Sequence, residues 1–550
     1  MPDRDWWRGA IIYEIYPASF RDANGDGWGD LPGIVEKLDY VASLGIDAVW
    51  IAPFFRSPMR DFGYDVADPC DVDPLFGTLA DFDRLVARAH ALGLRVIIDQ
   101  VWGHTSTSHA WFETSRRGRA NDRANWYVWA DPRPDGTPPN NWLSVFGGPA
   151  WSWEPRRRQY YLHHFLAAQP TLNLRNQAVI DALLDNARFW LARGVDGFRL
   201  DAVDFLLHDP RLRDNPPRRP AGGQTPAKLF GLQHHCHDML QPEVTGLLRQ
   251  FRALTDAHPG TALLGEVSSQ DGAFERIARY TKAGEGLHMA YTLRPLRRDT
   301  FAHALGEALD EIATAAGSGW LCWSFSNHDV ERVASRWNPV KERGLPPPCG
   351  FVEMLMALLL TLRGSVSLYQ GEELGLEEAQ LDLAELRDPF GIAYFPEFAG
   401  RDGSRTPMPW RADAPHAGFS EGTPWLPVPR AHFAASVAEQ EANPSAPLHA
   451  WRRLATWRKA HRVLCVGSLA RLEALHPLMA FERRIGAERV VAIFNPSPAP
   501  HTTRLEPGVA SVLASAGAAL DGSASMLPPW GYLFAAMPAL EEVPLPLGSA

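Results

Sequence analysis

Three acidic residues each follow a short apolar run, a position where parallel-stranded barrels often carry reactive side chains. Asp201 follows Gly-Phe-Arg-Leu, Glu266 follows Leu-Leu-Gly, and Asp329 ends the run Phe-Ser-Asn-His-Asp. An attacking carboxylate and a protonated carboxyl group about 5–5.5 Å away can together cleave a glycosidic bond. A third anion can stabilise the positive charge that develops on the sugar ring. One acidic residue after a strand is usually a cap or a turn residue, but three in unusual motifs favour a catalytic set.

The elements that must position these residues alternate between strands and helices. Apolar residues at helical spacing predict helices over 34–44, 79–89 and Val179–Arg193. Eight short buried runs are predicted as strands: Ala10–Ile15, Ala48–Ile51, Leu94–Ile98, Gly197–Leu200, Ala262–Gly265, His288–Tyr291, Leu321–Ser324 and Ser365–Leu368. Strands separated by amphipathic helices predict an α/β fold with a parallel sheet closed into a (β/α)8 TIM barrel. The three acidic residues then follow the fourth, fifth and seventh strands and meet at one mouth.

The alternation is interrupted once and stops before the end of the chain. The stretch after the third strand is rich in Trp, Asn, Pro and Arg, which predicts an inserted subdomain. The last stretch contains short β-rich runs such as Val490–Phe494, separated by turns, which predicts a small antiparallel β domain. The predicted units are a barrel over 1–104 and 177–465, an insert over 105–176, and a C-terminal domain over 466–550.

Composition restricts the class of protein. The 550 residues are 45% hydrophobic and carry a net charge of -10, which fits a globular protein and is a poor match for a nucleic-acid binder. No apolar run of about 18 residues and no signal-peptide pattern is present, so no membrane span or secretion is expected. The five cysteines are scattered without a C-x-x-C pair, which fits reduced thiols. We expect a cytoplasmic monomer or homodimer that binds a small molecule, not nucleic acid or a membrane.

Four ordered motifs resemble those of glycoside hydrolase family 13, the α-amylase family. They are Asp99-Gln-Val-Trp-Gly-His104, Gly197-Phe-Arg-Leu-Asp201, Glu266 after Gly265, and Ser326-Asn-His-Asp329. The similarity extends from Tyr13-Glu-Ile-Tyr-Pro17 to the C-terminal domain. The resemblance implies that Asp201 is the nucleophile, Glu266 the general acid/base, and Asp329 the stabiliser of the transition state.

The same resemblance implies how the nucleophile and the substrate are held. Arg199 would lie beside Asp201, where a fixed positive charge helps to keep the carboxylate ionised, and Asp99 would be the structural partner of Arg199. His104 and His328 would form hydrogen bonds with glucose hydroxyl groups. The residues expected to contact the substrate are Tyr64, Asp65, His104, Phe165, Arg199, His328 and Arg401.

Two segments resemble parts of exo-acting α-glucosidases. Asp61-Phe-Gly-Tyr64-Asp65 resembles the loop that lines the glucose site, where Tyr64 would stack on the sugar and Asp65 would bind its hydroxyl groups. Gly400–Trp410 resembles a segment typical of these enzymes rather than of endo-amylases, and Arg401 within it would pair with Asp65. A pocket walled in this way holds one terminal glucose, whereas an open cleft admits the middle of a polymer.

The subgroup that the chain most resembles is that of bacterial α-glucosidases that also transfer glucose. A long segment after the fourth strand, about residues 205–235, would restrict the acceptor side to short substrates. Ala202 directly after the nucleophile resembles enzymes that act on α-1,4 links, whereas valine there goes with α-1,6 preference. We therefore expect a retaining exo-acting α-glucosidase, with a capacity for transglucosylation.

Other functions remain open at this level. A net glucosyltransferase or a disaccharide isomerase would use the same glucosyl-enzyme, and the sequence does not decide whether water or an acceptor reaches it. A non-catalytic family member would usually lack a carboxylate, but Asp201, Glu266 and Asp329 are all present. A metal-dependent hydrolase is weaker still, because no His and Asp cluster with ligand spacing follows the strands.

One acidic loop has the spacing of a cation site. Residues 22–30 place oxygen ligands at alternate positions, as at the start of an EF-hand loop, but the distal bidentate glutamate is lacking. By resemblance, calcium or magnesium would bind here, away from the chemistry, in a structural role. The predicted ligands are Asp22, Asn24, Asp26, Trp28 through its carbonyl, and Asp30. No organic cofactor is expected.

Overall fold

The centre of the molecule is a barrel of eight parallel strands. The structure is a computed structural model that describes residues 4–219, 228–269, 271–293, 319–504, 511–521 and 524–537. The barrel strands are β1 (Ile11–Ile15), β2 (Ala48–Ile51), β3 (Arg95–Gln100), β4 (Gly197–Leu200), β5 (Ala262–Val267), β6 (Met289–Thr292), β7 (Cys322–Ser324) and β8 (Ser365–Tyr369). All their residues except the first of β3 are buried, as expected for strands covered on both faces.

The barrel strands pair in chain order around the ring. Parallel ladders join β1 through β6 in sequence, and β7 to β8, which returns to β1. A parallel bridge between Ala290 and Leu321 joins the β6 and β7 segments and closes the barrel. The register sets Asp99 beside Arg199 and Glu266 beside Tyr291. Polar side chains of neighbouring strands therefore meet at the carboxyl end of the barrel.

Helices cover the outside of the barrel. The longer ones are α1 (Leu31–Ser43), α2 (Leu79–Ala91), α3 (Gln177–Leu191), α4 (Val244–Asp256), α5 (Ala273–Tyr280), α6 (Phe351–Thr361) and α7 (Pro447–Ala460). Asp30 caps α1 by accepting a hydrogen bond from the Gly33 N–H, and Thr78 forms a capping box with Asp81 at the start of α2. Shorter α-helices are Ala110–Ser115, Val333–Arg336, Pro389–Tyr394, Arg430–Ala434, Val437–Glu441 and Arg462–Val466.

Two excursions from the barrel supply loops to its mouth. The insert between β3 and α3 contains an antiparallel sheet, with Gln159–Leu162 between Trp129–Ala130 and Trp151–Glu154. A shorter excursion after β2 forms a two-stranded ladder from Phe55–Arg56 and Asp68–Val72. Both loops lie at the carboxyl ends of the strands, where barrel enzymes bind their substrates.

The C-terminal region forms two antiparallel sheets. The five-stranded sheet contains Ser468–Leu472, Met479–Ile485, Glu488–Phe494, Tyr532–Met537 and Ser511–Ala514, and the three-stranded sheet contains His501–Arg504, Ala524–Leu527 and Ala519–Asp521. The larger sheet packs on the barrel through Trp457 of α7, whose ring lies 5.3 Å from that of Phe534. The buried guanidinium of Arg483 donates hydrogen bonds to the carbonyls of Thr361 and Leu362 at the end of α6. These contacts fix the β domain against the barrel wall.

The barrel interior has an apolar lower part and a polar upper layer. Ile12, Trp50, Ile97, Leu264 and Met289 belong to the apolar cluster inside the barrel. The polar layer contains the buried side chains of Glu14, Asp99 and Arg199. Buried charges are costly unless they are paired, so such a layer marks a part of the fold kept for function.

The fold class predicted from the sequence is confirmed, including the insert after the third strand and the antiparallel C-terminal domain. β5 continues to Val267, so Glu266 lies inside the strand and not after it. The unit boundaries stay predictions, and residues 220–227 of the expected acceptor loop and 505–510, 522–523 and 538–550 of the C-terminal domain lie outside the described ranges. Among described residues, none of the helices combines the length and apolarity needed to cross a membrane.

Candidate active site

Asp201 lies at the turn that follows β4. Its backbone N–H donates to the carbonyl of Gln100 at the end of β3 (3.1 Å), and the next residue, Ala202, has a left-handed backbone with φ 41°. The Asp201 side chain is 13% exposed, and its Oδ1 accepts a hydrogen bond from Nη1 of the fully buried Arg199 (2.9 Å). Arg199 Nη1 also donates to both oxygens of Asp99 (2.9 Å each), as the sequence predicted.

Glu266, near the end of β5, contacts the same guanidinium. Arg199 Nη2 donates to Glu266 Oε2, and the hydroxyl of Ser268 donates to Oε1 (3.2 Å). Because Asp201 and Glu266 contact the two terminal nitrogens of one guanidinium, their carboxyl groups converge on one place at the barrel mouth. A close carboxyl pair can act on the two sides of one glycosidic bond.

Burial and neighbouring charges set the protonation of this pair. Burial raises the pKa of Asp201, and the charges of Glu266 and Asp99 raise it further against the lowering effect of Arg199. Burial also raises the pKa of Glu266 above its usual range, again against Arg199. Raised pKa values on two coupled carboxyl groups in a dry site favour a state in which the pair holds one proton. That is the charge state in which one group can attack and the other can donate a proton.

Asp329, in the loop after β7, lies among cations. Its Oδ1 accepts hydrogen bonds from Arg405 Nη2 (2.8 Å) and Arg401 Nη1 (3.3 Å). Burial opposes ionisation, but His328 and the positive charges of the two arginines outweigh it and hold the pKa of Asp329 below its usual range. The side chain is 26% exposed, more than Asp201 or the 6% of Glu266. A permanent anion that faces the open part of the site can stabilise a developing positive charge.

Arg401 closes one side of the site, with a different partner from the one predicted. Its Nη2 donates to Asp61 Oδ1 (2.7 Å) and Asp388 Oδ1 (2.8 Å), and its Nε donates to Asp388 Oδ2 (3.0 Å). Burial opposes ionisation of Asp388, but Arg401 outweighs it and lowers the pKa of Asp388 to about 2. The predicted pair of Arg401 with Asp65 is therefore wrong.

Asp65 instead holds its own loop together. Its carboxylate accepts hydrogen bonds from the hydroxyl of Ser57 (2.8 Å) and from the backbone N–H groups of Arg60 (3.2 Å) and Asp61 (3.0 Å), and the residue has no exposed surface. The loop turns through a positive φ at Phe62, and the first acidic residue of the motif, Asp61, lies against Arg401. The contact of Asp65 with sugar hydroxyl groups stays a prediction, and the carboxylate that would make it is held by these three hydrogen bonds.

Tyr64, His104 and His328 lie at the buried end of the site. His104 Nε2 lies 3.1 Å from the Tyr64 carbonyl oxygen and 3.2 Å from Gln169 Nε2. The Tyr64 hydroxyl lies 2.7 Å from His328 Nε2 and 3.1 Å from Asp99 Oδ2. Burial lowers the pKa of His104 to about 4 and that of His328 to about 3. Both rings are therefore neutral at neutral pH and suited to hydrogen bonds with hydroxyl groups.

Aromatic side chains form another side of the site. The half-buried Phe165 has its ring 5.3 Å from that of His104 and 5.1 Å from that of Phe205. The N–H of Ala202 lies 3.5 Å from Glu266 Oε2, so this side borders the acid. The apolar cluster here comprises Ala202, Phe205 and Met239, with Val145, Phe165, Phe230 and Leu240 packed on it.

Three loops contact one another at the outer edge of this aromatic side. Lys228, from the β4 loop, places Nζ 3.9 Å from the ring centroid of Phe390 and 3.6 Å from that of Phe398. The Phe390 ring lies 4.8 Å from that of Phe146 in the insert. The guanidinium of Arg401 lies 5.1 Å from the Phe146 ring. The β4 loop, the insert and the segment after β8 are thus connected.

The loop with the predicted cation ligands is folded by its own hydrogen bonds. Asp22 accepts from the N–H groups of residues 24, 25 and 27, Asn24 from that of Asp26, and Asp26 from that of Trp28. Asp30 serves as the cap of α1. Across the described ranges, no three His, Cys, Asp or Glu side chains are grouped so that they could hold an ion. Calcium or magnesium at this loop stays a prediction.

Sequence reasoning missed four charged side chains that contact predicted site residues: Asp61, Asp388, Arg405 and Glu14. Asp61 and Arg405 lie inside segments already singled out, and their charge was a usable signal. Glu14 is an acidic residue within an apolar strand, which is rare and worth attention. Asp388 carries no local signal, since only the fold brings it to Arg401.

Comparisons with known proteins agree with this arrangement. The family model for the alpha amylase catalytic domain matches residues 14–467. The chain belongs to the α-amylase family. Within this family it is 50% identical over 548 residues to a probable alpha-glucosidase of Rhizobium meliloti, with 97% of each chain covered. It is 35% identical over 529 residues to an oligo-1,6-glucosidase of Heyndrickxia coagulans, which covers 89% of this chain and 92% of that one.

Solved structures of the α-amylase family extend the comparison to enzymes that transfer glucose. The alpha-glucosyl transfer enzyme XgtA superposes with a TM-score of 0.91 at 49% identity, covering 98% of this chain and all of that one (100%). The trehalulose synthase MutB from Pseudomonas mesoacidophila MX-45 superposes with a TM-score of 0.86 at 30% identity, and the match covers 97% of this chain and 100% of that one. The protein is therefore a glycoside hydrolase related to α-glucosidases, in a fold that also supports glucosyl transfer.

Proposed function

We propose that this enzyme is a retaining, exo-acting α-glucosidase that releases terminal non-reducing glucose from short α-1,4-linked oligosaccharides. The observation that carries the proposal is the shared contact of Arg199 with Asp201 and Glu266. It supports a close carboxyl pair, as retaining glycosidases have, and leaves little room for the water that an inverting enzyme holds between its two acids.

In the first step, the Asp201 carboxylate attacks the anomeric carbon while Glu266 gives its proton to the glycosidic oxygen. The bond from carbon to the leaving oxygen breaks as the ester bond to Asp201 forms, and the leaving group departs as a neutral alcohol. Asp329, kept anionic by Arg401 and Arg405, stabilises the positive charge on the ring. Arg199 stays bound to Asp99 throughout and keeps the nucleophile oriented.

In the second step, Glu266 is ionised and takes a proton from an incoming water. The oxygen of that water attacks the anomeric carbon, the ester bond breaks, and Asp201 returns to its carboxylate form. Two inversions give glucose with retained α configuration. Both carboxyl groups end in the charge state in which they began.

The closed side of the pocket supports exo action. Asp61 and Asp388 bind Arg401 on one side, and the neutral His104 and His328 occupy the buried end. A glucose unit that is enclosed there has no exit for a further sugar on its non-reducing side. The leaving group must extend past Glu266 toward the aromatic side.

The test combines two variants with an exposed control. Asp201→Asn should abolish the covalent adduct that mass spectrometry detects with a slow fluorinated glucoside, and should lower kcat by more than about 10³-fold. Glu266→Gln should lower turnover of maltose by about 10²–10⁴-fold but affect α-glucosyl fluoride less, because fluoride needs little acid help. Glu243→Gln, at an exposed carboxylate, should match the wild type. Full activity in either of the first two variants would reject the assignment.

A second candidate function is net glucosyl transfer or disaccharide isomerisation. The aromatic acceptor side around Ala202 and Phe205 supports it, because such rings bind the apolar faces of a sugar or an alcohol and displace water. The neighbours XgtA and MutB carry transfer and isomerising names. Product analysis with maltose plus a second acceptor separates the two functions: free glucose in excess of the transfer product favours hydrolysis.

We also propose that calcium or magnesium binds in a structural role at residues 22–30, held by Asp22, Asn24, Asp26, the Trp28 carbonyl and Asp30. The all-oxygen ligand set at alternate positions suits a hard cation, and Asp26 and Asp30 retain lone pairs beyond their hydrogen bonds. Asp22 accepts four hydrogen bonds and would exchange one of them for the ion. An ion that binds only the folded state stabilises it. Chelator should therefore lower the unfolding temperature by about 2–5 °C, with recovery on adding either ion. An unchanged temperature, with no cation found by elemental analysis, would contradict this proposal.

We further propose that the enzyme works in the cytoplasm. All five cysteines, which lie within the described ranges, are free thiols. Reduced thiols are typical of that compartment. Fractionation of cells that express the protein with its own termini would test this.

A further inference from the structure

A continuous chain of hydrogen bonds runs behind the glucose site and ends at a carboxyl group without an assigned role. Asp99 Oδ2 lies 3.1 Å from the Tyr64 hydroxyl, which lies 2.7 Å from His328 Nε2. His328 Nδ1 in turn lies 2.5 Å from Oε1 of Glu14 on β1. Glu14 and His328 have no exposed surface. The chain thus links the partner of Arg199 to a buried acid through a histidine that the proposed function places against glucose.

Because burial lowers the pKa of His328 to about 3, its ring is neutral, and a neutral ring leaves two arrangements of the protons in this chain. Asp99 is paired with Arg199 and only accepts. If Glu14 is ionised, His328 carries its proton on Nδ1, and Nε2 must accept the single Tyr64 proton, which leaves Asp99 Oδ2 without it. If Glu14 is protonated, it donates to Nδ1, His328 donates from Nε2 to the Tyr64 oxygen, and Tyr64 donates to Asp99. In the second arrangement every contact of the chain is a hydrogen bond. In the first, the Tyr64 oxygen and Asp99 Oδ2 face each other at 3.1 Å with no proton between them, although Arg199 Nη1 still donates to Oδ2.

The surroundings of Glu14 favour the protonated form. Within the part of the chain that the structure describes, its second oxygen, Oε2, is buried and has no hydrogen-bond partner. An ionised carboxylate that has one oxygen without a hydrogen bond in a dry interior is costly. Leaving the carbonyl oxygen of a neutral acid without a hydrogen bond costs much less free energy. Burial correspondingly raises the pKa of Glu14 well above its usual range, against the effect of Arg199.

We propose that Glu14 is a neutral carboxylic acid that donates its proton to His328 and thereby fixes His328 as the Nε2–H tautomer. It acts as a positioning residue, since it does not itself face the substrate. With the proton on Nε2, His328 donates to the Tyr64 oxygen, and Tyr64 must direct its own proton to Asp99, so the buried polar end of the site has one arrangement of donors and acceptors. Stacking of His328 with Tyr16 at a centroid distance of 5.6 Å holds the plane of the ring, while Glu14 sets its proton. The kinetic consequence rests on the proposed function, but the tautomer does not.

The direct test is spectroscopic and needs no activity. Nitrogen NMR of the enzyme with ¹⁵N-histidine, with His328 assigned by its loss in His328→Asn, should show a protonated Nε2 and a bare Nδ1 at neutral pH. The infrared difference between wild type and Glu14→Gln should contain the C=O stretch of a protonated carboxyl group in the wild type. A proton on Nδ1, or the carboxylate bands of an ionised Glu14, would overturn the proposal even if glucosidase activity is present.

The kinetic test uses a conservative and a disruptive variant. Glu14→Gln can still donate to Nδ1 through its amide, so kcat/KM should stay within about threefold of wild type. Glu14→Leu removes the donor and should lower kcat/KM at least tenfold, or about 1.4 kcal/mol. In the His328→Asn background, Glu14→Leu should cost no more than twofold, because its effect passes through His328. Equal losses in both backgrounds would mean that Glu14 serves only the fold. Inactivity of the wild type on every α-glucoside would reject the proposed function and leave the NMR result to decide the tautomer.

Discussion

The two sides of the pocket are built from different chemistry. On the donor side, Arg401 connects Asp61, Asp388 and Asp329 in one buried charge network. On the acceptor side, Phe165 and Phe205 pack around the residue that follows the nucleophile, in a cluster of apolar side chains. Directional, fully paired contacts specify one ligand shape, whereas apolar rings tolerate many. Under the proposed function, the glucose unit therefore meets fixed, paired contacts, and variation in the partner belongs to the other side.

The largest effect is expected from breaking the donor network. Arg401→Ala leaves Asp61 and Asp388 buried without their cation, which should cost about 3–5 kcal/mol of folding free energy. It also removes one of the cations that hold Asp329 in place and ionised, so kcat/KM for an aryl α-glucoside should fall by about 10²-fold or more. Denaturant unfolding and steady-state kinetics measure the two effects. Arg387→Ala, an exposed arginine of the same segment, is the matched control and should change neither. Activity within threefold of wild type in Arg401→Ala would remove the distinction between the two sides.

The next effect concerns pH and separates the arginine-held acids from the catalytic pair. Asp329 and Asp388 have lowered pKa values and stay ionised over the pH range in which the enzyme is active. Their titration should therefore not appear in the dependence of kcat/KM on pH. Asp201 must lose its proton and Glu266 must keep its own, which gives a bell-shaped kcat/KM. Because the pKa of Glu266 is raised, activity should persist above the usual carboxyl range and then fall about tenfold per pH unit.

Glu266→Gln should remove the basic limb of that profile when α-glucosyl fluoride is the substrate. Persistence of the same limb in this variant would assign it to another group. The measurement is kcat/KM for wild type and variant across the pH range in which both remain folded.

A smaller effect should come from the position after the nucleophile. Ala202 has a φ of 41°, a conformation that β-branched residues avoid. Ala202→Val should therefore cost about 1–3 kcal/mol of stability and shift the ratio of kcat/KM for maltose over isomaltose toward isomaltose by about tenfold. Ala202→Gly keeps the backbone free of strain and should leave the preference for maltose. If both variants keep the wild-type ratio, Ala202 does not set the linkage.

The smallest effect is expected at the contact between loops on the acceptor side. Lys228→Met removes the cation from between Phe390 and Phe398, a contact worth about 0.5–1 kcal/mol. The ratio of kcat/KM for maltotetraose over maltose should rise about two- to fivefold, because the β4 loop is then less firmly held. Lys228→Arg should keep the wild-type ratio, and Lys282→Met, at an exposed lysine, should do the same. If Lys228→Arg also raises the maltotetraose-to-maltose ratio, the positive charge at this position is not what holds the loop.

The sequence was most informative where the signal was local. The strand Gly197–Leu200 was predicted to the residue, because a buried apolar run with one arginine is bounded by a glycine and an aspartate. β5 was predicted too short, since Glu266 broke the apolar pattern, although its backbone continues the ladder beside Tyr291. An acidic side chain at a strand end is tolerated when a cation such as Arg199 receives it.

The sequence was least informative where a choice depends on the path of a loop. Asp61 and Asp65 lie in one motif, and a resemblance alone could not tell which carboxylate faces Arg401. The observed path of the loop, with a positive φ at Phe62, places Asp61 against Arg401. The contacts of Arg401 with Asp388 and of His328 with Glu14 join residues from distant parts of the chain, so no short pattern could reveal them.

The guanidinium that serves both reactive carboxyl groups has a consequence for engineering. If Asp201 is replaced by a neutral residue, a negative charge is lost and Arg199 interacts more strongly with Glu266, so Glu266 loses its proton at lower pH. An ionised Glu266 without a nucleophile opposite can activate an acceptor alcohol but cannot form the covalent ester. The scaffold is thus predisposed to become a glycosynthase that joins a β-glucosyl fluoride to an acceptor under mild conditions.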